Sequence, residues 1–216
     1  MTFLLALPVS ARAQPLTVVE LFQSQGCSSC PPANANVMAL AGRSDLLTLS
    51  FGVTYWDSLG WKDTFASPQY TARQWDYAHA LHHSEVYTPQ VVINGSADIV
   101  GSDLEALKAL IGREGPVSGP TLAVTNGRAN VAAGHGSAQV WLVRYDPNIV
   151  RVPVTRGENN GVTLPHRNVV KQLVKLGDWR GAATSYAIPV SSNPIWRDAV
   201  ILQTGTGGPI IAAARS

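Results

Sequence analysis

The chain has two cysteines, Cys27 and Cys30, in the run Cys27-Ser28-Ser29-Cys30. A Cys-x-x-Cys set between a strand and a helix places the first thiol at the helix N-terminus, where orphan N–H groups and the helix dipole favour thiolate over thiol. The second thiol, one turn on, attacks the first sulfur and releases a mixed disulfide, and this step needs the short gap. The same spacing also suits half of a zinc site, two thiolates holding copper or another soft metal, or an inert structural disulfide. A zinc site would lack its second pair, because no third cysteine exists and the first histidine is His79. A structural bridge over so short a loop removes little chain entropy. No glycine loop with a phosphate-binding lysine occurs, and no cofactor is expected.

The elements that must position this pair are readable on both sides of it. Leu16 to Phe22 is apolar and β-branched and runs into Gln23-Ser24-Gln25-Gly26, so it predicts a buried strand and a loop. After the cysteines, a helix is predicted from Pro31 to Gly42, with the prolines in its first turn and the glycine as its stop. Leu46 to Tyr55 reads as a second strand, covered on both faces. Asp57 to Phe65 is a loop, and Ser67-Pro68 opens a helix reaching His83. Thr88 to Ile93 is a strand, Asn94-Gly95 a hairpin turn, and Asp98 to Gly101 the return strand. Ser102-Asp103-Leu104-Glu105 reads as a capping box for a helix ending at Ile111.

Beyond residue 112 the texture changes. Residues 113–120, rich in glycine and proline, read as a linker, and 121–216 as a β-rich, sandwich-like domain of short strands. Those strands are 121–126, 128–133, 138–145, 150–155, 186–190, 199–204 and 209–214, with Asn168 to Leu176 fitting either a helix face or a strand and assigned here as strand.

Several other constellations are candidates for function. Tyr55, Trp56 and Trp61, with Asp57 and Asp63, sit in a loop that starts where the second strand ends, on the same sheet edge as the cysteines, and would either wall a substrate groove or pack to seat the loop. His79 and His83 have the spacing of a helical metal clamp, although a solvated helix end explains them as well. Arg156, Glu158, Asn159 and His166 form a polar cluster without a nucleophile, and turn formation accounts for it.

Charged residues are 14% of the chain, its formal net charge is +2, and there is no Lys/Arg run, which excludes the electrostatic footprint of a nucleic-acid binder. Residues 1–13 read as a signal peptide: an apolar run too short to span a bilayer, ending in Ala11-Arg12-Ala13. With no later apolar segment long enough to span, the mature protein is expected to be periplasmic or secreted, where disulfides persist.

The order of these elements around the pair resembles a thioredoxin-like fold over residues 14–112, giving an α/β class followed by the β-rich domain. That resemblance implies a cis bond at Thr88-Pro89, with Thr88 offering its backbone to a partner, and a buried acid in the first strand, Glu20, taking a proton from Cys30. A carboxyl group held in an apolar strand would have the raised pKa such a task needs, while a strand-end carboxylate facing water is the alternative. Three stretches, Val18 to Ala33, Tyr55 to Asp63 and Tyr87 to Gln90, resemble a family of secreted bacterial proteins of unknown function. The likeness continues in Arg156-Gly157-Glu158-Asn159-Asn160-Gly161 and His166 to Val170. It implies a thioredoxin-like domain followed by a β-rich one and supplies no substrate; the cysteine pair in its setting is what points to thiol-disulfide exchange, with protein thiols or disulfides as partners.

Overall fold

The computed structural model describes residues 14–216, so the signal-peptide reading of 1–13 lies outside the described residues. The chain begins with β1 (Thr17–Gln23), α1 (Cys30–Leu40) and β2 (Leu46–Gly52). The two strands pair in parallel from Thr17↔Leu46 to Gln23↔Gly52, and every residue of both is buried. Alternation along β1 explains that burial. Val19 and Leu21 pack on Val37 and Leu40 of α1 and on Leu107 and Ile111 of α3 (Leu104–Glu114). Val18 and Phe22 turn to the other face, against Tyr70 and Tyr77 of α2 (Pro68–Ala80). Covered twice, such strands carry apolar and β-branched residues almost throughout.

β3 (Gln90–Ile93) lies antiparallel to β1 and β4 (Ala97–Ile99) antiparallel to β3. Asn94 and Gly95 take the left-handed angles (φ 51° and 67°) of the expected turn. Helix ends differ from expectation in α2 and at both ends of α3. α2 stops at Ala80 rather than His83, because His82 has φ 63° and the His83 N–H turns back onto the Ala78 carbonyl at 2.8 Å. The cap of α3 is Asp103, not Ser102; its carboxylate accepts the Glu105 and Ala106 N–H groups, and the helix continues to Glu114.

The later strands are β5 (Leu122–Thr125), β6 (Arg128–Val131), β7 (Ala138–Asp146), β8 (Val150–Pro153), β9 (Thr163–His166), β10 (Val169–Trp179), β11 (Thr184–Ala187), β12 (Arg197–Gln203) and β13 (Ile210–Arg215). Four of them continue the first sheet, which runs β13-β12-β7-β10-β2-β1-β3-β4. The join is narrow: Val169 pairs with Ser50, the Ser50 N–H donates to the Asn168 carbonyl at 3.0 Å, and the Asn168 amide donates to the Thr48 carbonyl and hydroxyl at 2.8 Å each. One core cluster crosses it, from Phe22 and Phe51 to Val143, Val170 and Ile201.

The sandwich expected beyond residue 120 is therefore present in its packing but not in its layers. The small sheet β11-β6-β5 covers one face of β7, β12 and β13 through Leu122, Val131, Leu142, Trp179 and Val200, while the opposing layer is the continuation of the N-terminal sheet. Residues 113–120 are pinned between the two parts, with the Val117 N–H on the Leu16 carbonyl and the Gly119 N–H on the Ile211 carbonyl. β10 is a strand, as assigned, and a register shift between Val170 and Gln172 accounts for its helix-like spacing. The extra residue resets the alternation, so Val170 and Leu173 enter the same core. β9, unanticipated because it contains Pro165, pairs only with β8 in a two-stranded ribbon. Among the described residues no helix is long and apolar enough to cross a membrane.

Candidate functional site

β1 ends at Gln23, and the loop Ser24-Gln25-Gly26 lifts the chain over the sheet edge to Cys27. The Cys27 N–H returns to the Ser24 carbonyl at 3.1 Å. Cys30 is the first residue of α1, and the two cysteines are joined in a disulfide with Cα atoms 5.5 Å apart. Ser28 and Ser29 are exposed, whereas Cys27 and Cys30 keep 0% and 1% of their surface. The first turn of α1 is poor in donors. Pro31 and Pro32 have no N–H, and the Cys30 N–H goes to the Cys27 carbonyl at 3.2 Å. Two hydroxyls face the Cys27 sulfur instead: Ser29 Oγ at 3.3 Å and Thr88 Oγ1, which donates at 3.5 Å.

Thr88 precedes Pro89, and the bond between them is cis, as the resemblance implied. The Trp56 indole N–H donates to Thr88 Oγ1 at 2.7 Å, which leaves the threonine proton for the sulfur. From behind, Gln74 Nε2 donates to the Tyr87 carbonyl at 2.7 Å and to Gln90 Oε1, while Gln90 and Tyr87 both donate to Asp98 Oδ2. Burial, with the Asp98 carboxylate beside it, pushes the Tyr87 hydroxyl well above its ordinary range. Its proton therefore stays in place to hold Asp98.

The aromatic loop is brought to the same edge. Trp61 Nε1 donates to Gln25 Oε1 at 2.9 Å, Trp56 meets Thr88, and Tyr55 stays part-exposed beside them, its hydroxyl raised by burial. Asp63 accepts the Gln25 N–H at 2.7 Å and the Phe65 N–H at 2.7 Å; burial raises its carboxyl and those bonds oppose the rise. Gly52 makes this seating possible: a Cβ there would stand 2.8 Å from the Ala66 nitrogen. Trp56 and Trp61 thus hydrogen-bond to Thr88 and Gln25, the residues on either side of the pair.

Glu20 is not brought to the cysteines. It points to the α2 face, where Arg73 clasps its carboxylate at 2.9 and 3.1 Å and the Tyr77 hydroxyl also donates to it. Burial alone would lower the Arg73 pKa, but the Glu20 charge outweighs it and the net direction is up; burial raises Tyr77. Glu20 is thus buried, as the resemblance implied, rather than open to water, and its carboxylate is held by Arg73 and Tyr77 on the face of β1 away from α1. Position 20 alternates to the face of Val18 and Phe22, opposite α1. Arg73 also donates to Gln203 Oε1 at 2.9 Å, so this ion pair ties β1 to β12 through α2.

Of the polar cluster in the second half, Glu158 and Asn159 reach the cysteine loop and His166 lies under the start of α1. The connection from β8 to β9, residues 154–162, forms an arm over the cysteine loop. Asn159 Nδ2 donates to the carbonyls of Gln25 (2.9 Å) and Cys27 (3.0 Å), and Glu158 Oε2 accepts the Ser28 N–H at 3.0 Å. Gly157, with φ 73°, lies against Trp61, where a Cβ would come within 3.3 Å of the indole's own Cβ. Beneath α1, Gln23 Nε2 lies within hydrogen-bond distance of Asn34 Oδ1, Ser50 Oγ and His166 Nδ1. Burial, aided by the Lys171 charge, drops His166 to about 4, so its ring is neutral at pH 7. Among the described residues its Nε2 has no hydrogen-bond partner. Composition gave no sign of these contacts, because Glu158 and Ser28 are 130 residues apart.

His79 and His83 do not converge: His79 stacks near Trp75, and His83 pairs with Asp98 at 3.0 Å. Among the described residues no group of three or more His, Cys, Asp or Glu side chains is placed to hold a metal ion.

Fold and site together define an α/β protein whose mixed sheet presents a disulfide-bonded Cys-x-x-Cys at the start of a helix. The chain belongs to a family described as protein of unknown function (DUF1223), whose profile matches residues 18–203. It is similar to protein AGR_C_4864 from Agrobacterium tumefaciens, known from a crystal structure, with 32% identity over 92% of each chain and a TM-score of 0.77. HBP35 of Porphyromonas gingivalis shares the fold at 12% identity, over 94% of this chain and 75% of that one, with a TM-score of 0.63. No curated protein matches the chain.

Proposed function

We propose that this is an exported thiol-disulfide exchange protein, thioredoxin-like over residues 14–112, acting through Cys27 and Cys30 on the thiols or disulfides of other proteins. The observation that carries this reading is the meeting of the Cys27 sulfur, at the mouth of α1, with the Thr88 hydroxyl on the loop that enters β3. A closed disulfide fits a periplasmic or secreted location.

In one direction, a partner thiolate attacks Cys27 Sγ. The Cys27–Cys30 bond breaks, and its electron pair leaves on Cys30, which takes a proton. A second partner thiol then displaces Cys27, so two electrons and two protons have moved and the partner carries the disulfide. The reverse sequence oxidises this chain. Thr88 and Ser29 would donate to the sulfur anion, Pro89 would fix the loop, and Tyr55, Trp56 and Trp61 would flank the partner segment. Because Cys27 has no exposed surface in the disulfide form, exchange requires the arm 154–162 or the Thr88 loop to give way.

The test is insulin reduction by dithiothreitol together with refolding of a scrambled disulfide protein. Cys27→Ser is expected to lose at least about 100-fold in rate, and Cys30→Ser to accumulate a mixed disulfide with its partner. A Cys27→Ser chain as active as the wild type would sink the reading.

A further inference from the structure

Reduction turns a neutral disulfide into a pair that carries negative charge once the first thiol ionises. Charges beside the loop therefore act on the reduced form more than on the oxidised one. Glu158 supplies such a charge through the Ser28 N–H, on the residue directly after Cys27. The bonds to Ser28 hold the Glu158 carboxyl below its usual range, so it is ionised at neutral pH. Asn159 fixes its place by binding the Gln25 and Cys27 carbonyls. The N–H groups that a helix start usually offers a sulfur anion are also scarce here: two positions are prolines, and the Ser28 N–H is already taken.

We propose that Glu158 is a positioning residue that keeps the Cys27–Cys30 pair reducing, by opposing negative charge on Cys27 and by holding the Ser28 N–H away from it. The inference rests on the exchange reading and gives it a direction: with Glu158 in place, the pair passes its two electrons to a partner's disulfide more readily than without it. A thiol reductant must then restore the pair.

The test is equilibration of the full chain with glutathione, two thiols and the protein disulfide giving the protein dithiol and glutathione disulfide, from pH 6 to pH 9. Glu158→Gln removes the charge but keeps an oxygen for the Ser28 N–H. It is expected to be reduced about threefold to tenfold more readily at pH 9, which corresponds to a potential about 15 to 30 mV less negative. That gap closes as falling pH protonates the Cys27 thiolate, and it narrows in 1 M salt. Asn159→Ala, which frees the arm but keeps the carboxylate, is expected to shift the potential the same way. A wild type that exchanges normally beside a Glu158→Gln chain of identical potential at every pH overturns the inference and leaves the exchange reading intact. A gap independent of pH and salt also overturns it, since charge would not be the cause. A wild type that exchanges with no thiol removes both.

Discussion

The two ends of the large sheet are built on different plans. Strands β2, β1 and β3 lie between α1 and α3 on one face and α2 on the other, whereas β10, β7, β12 and β13 carry a second sheet on one face. Helices joining strands leave loops gathered at one edge, and that is where the cysteines, Thr88 and the aromatic loop meet. The two-sheet end offers no such edge. It contributes through a long connection, the arm with Glu158 and Asn159, sent across to the other end. One half therefore presents the chemistry, and the other sets its surroundings. The helix α2 lies across both, with Arg73 bound to Glu20 on one side and Gln203 on the other.

The strongest way to break that comparison is Arg73→Met. It leaves Glu20 buried without its cation, which costs about 3–5 kcal/mol. Because the ion pair spans both ends, thermal unfolding is expected to stay a single transition at a lower temperature. Two transitions with only one lowered would show the ends to be independent.

A somewhat smaller effect is expected from acid. His166 binds its proton less readily when folded (about 4) than when unfolded (6.5). The stability its neutral state contributes is complete above pH 6.5 and is lost as pH falls toward 4, by roughly 3 kcal/mol in all. Urea unfolding of the wild type and His166→Phe at pH 7 and pH 4.5 should show a larger loss with acid in the wild type than in the variant.

Asn168→Ala is the mildest test. It removes two hydrogen bonds at the join and places alanine at φ 53°, for a loss of about 1–3 kcal/mol. Faster hydrogen exchange confined to β2 and β10 would sharpen the picture of a narrow seam. Uniform loosening of the whole chain would argue against it.

What could be read from the residues follows from how local each cause is. Strand, helix and hairpin signals around the cysteines are neighbours in the chain, so the β-α-β order, Asn94-Gly95 and the edge shared with Trp56 and Trp61 were all legible. The partner of Glu20 left no trace because Arg73 lies 53 residues away in a helix whose facing residues carry no label. The extension of the sheet by β10 rests on one registered pair and an asparagine, too little to leave a pattern. Asn159 looked like a turn residue because it is one; its second task depends on a carbonyl 132 residues upstream.

The narrow seam also bears on how the chain reaches its shape. β2 acquires β1 early, from a nearby segment, but its other flank is closed by Asn168, 120 residues further along. Until that residue arrives, Leu46 to Gly52, an uncharged apolar strand, has an open row of backbone donors and acceptors along one side. Such edges recruit other chains while folding is incomplete. A polypeptide ending short of residue 168 would have the centre of this sheet as its sticky border.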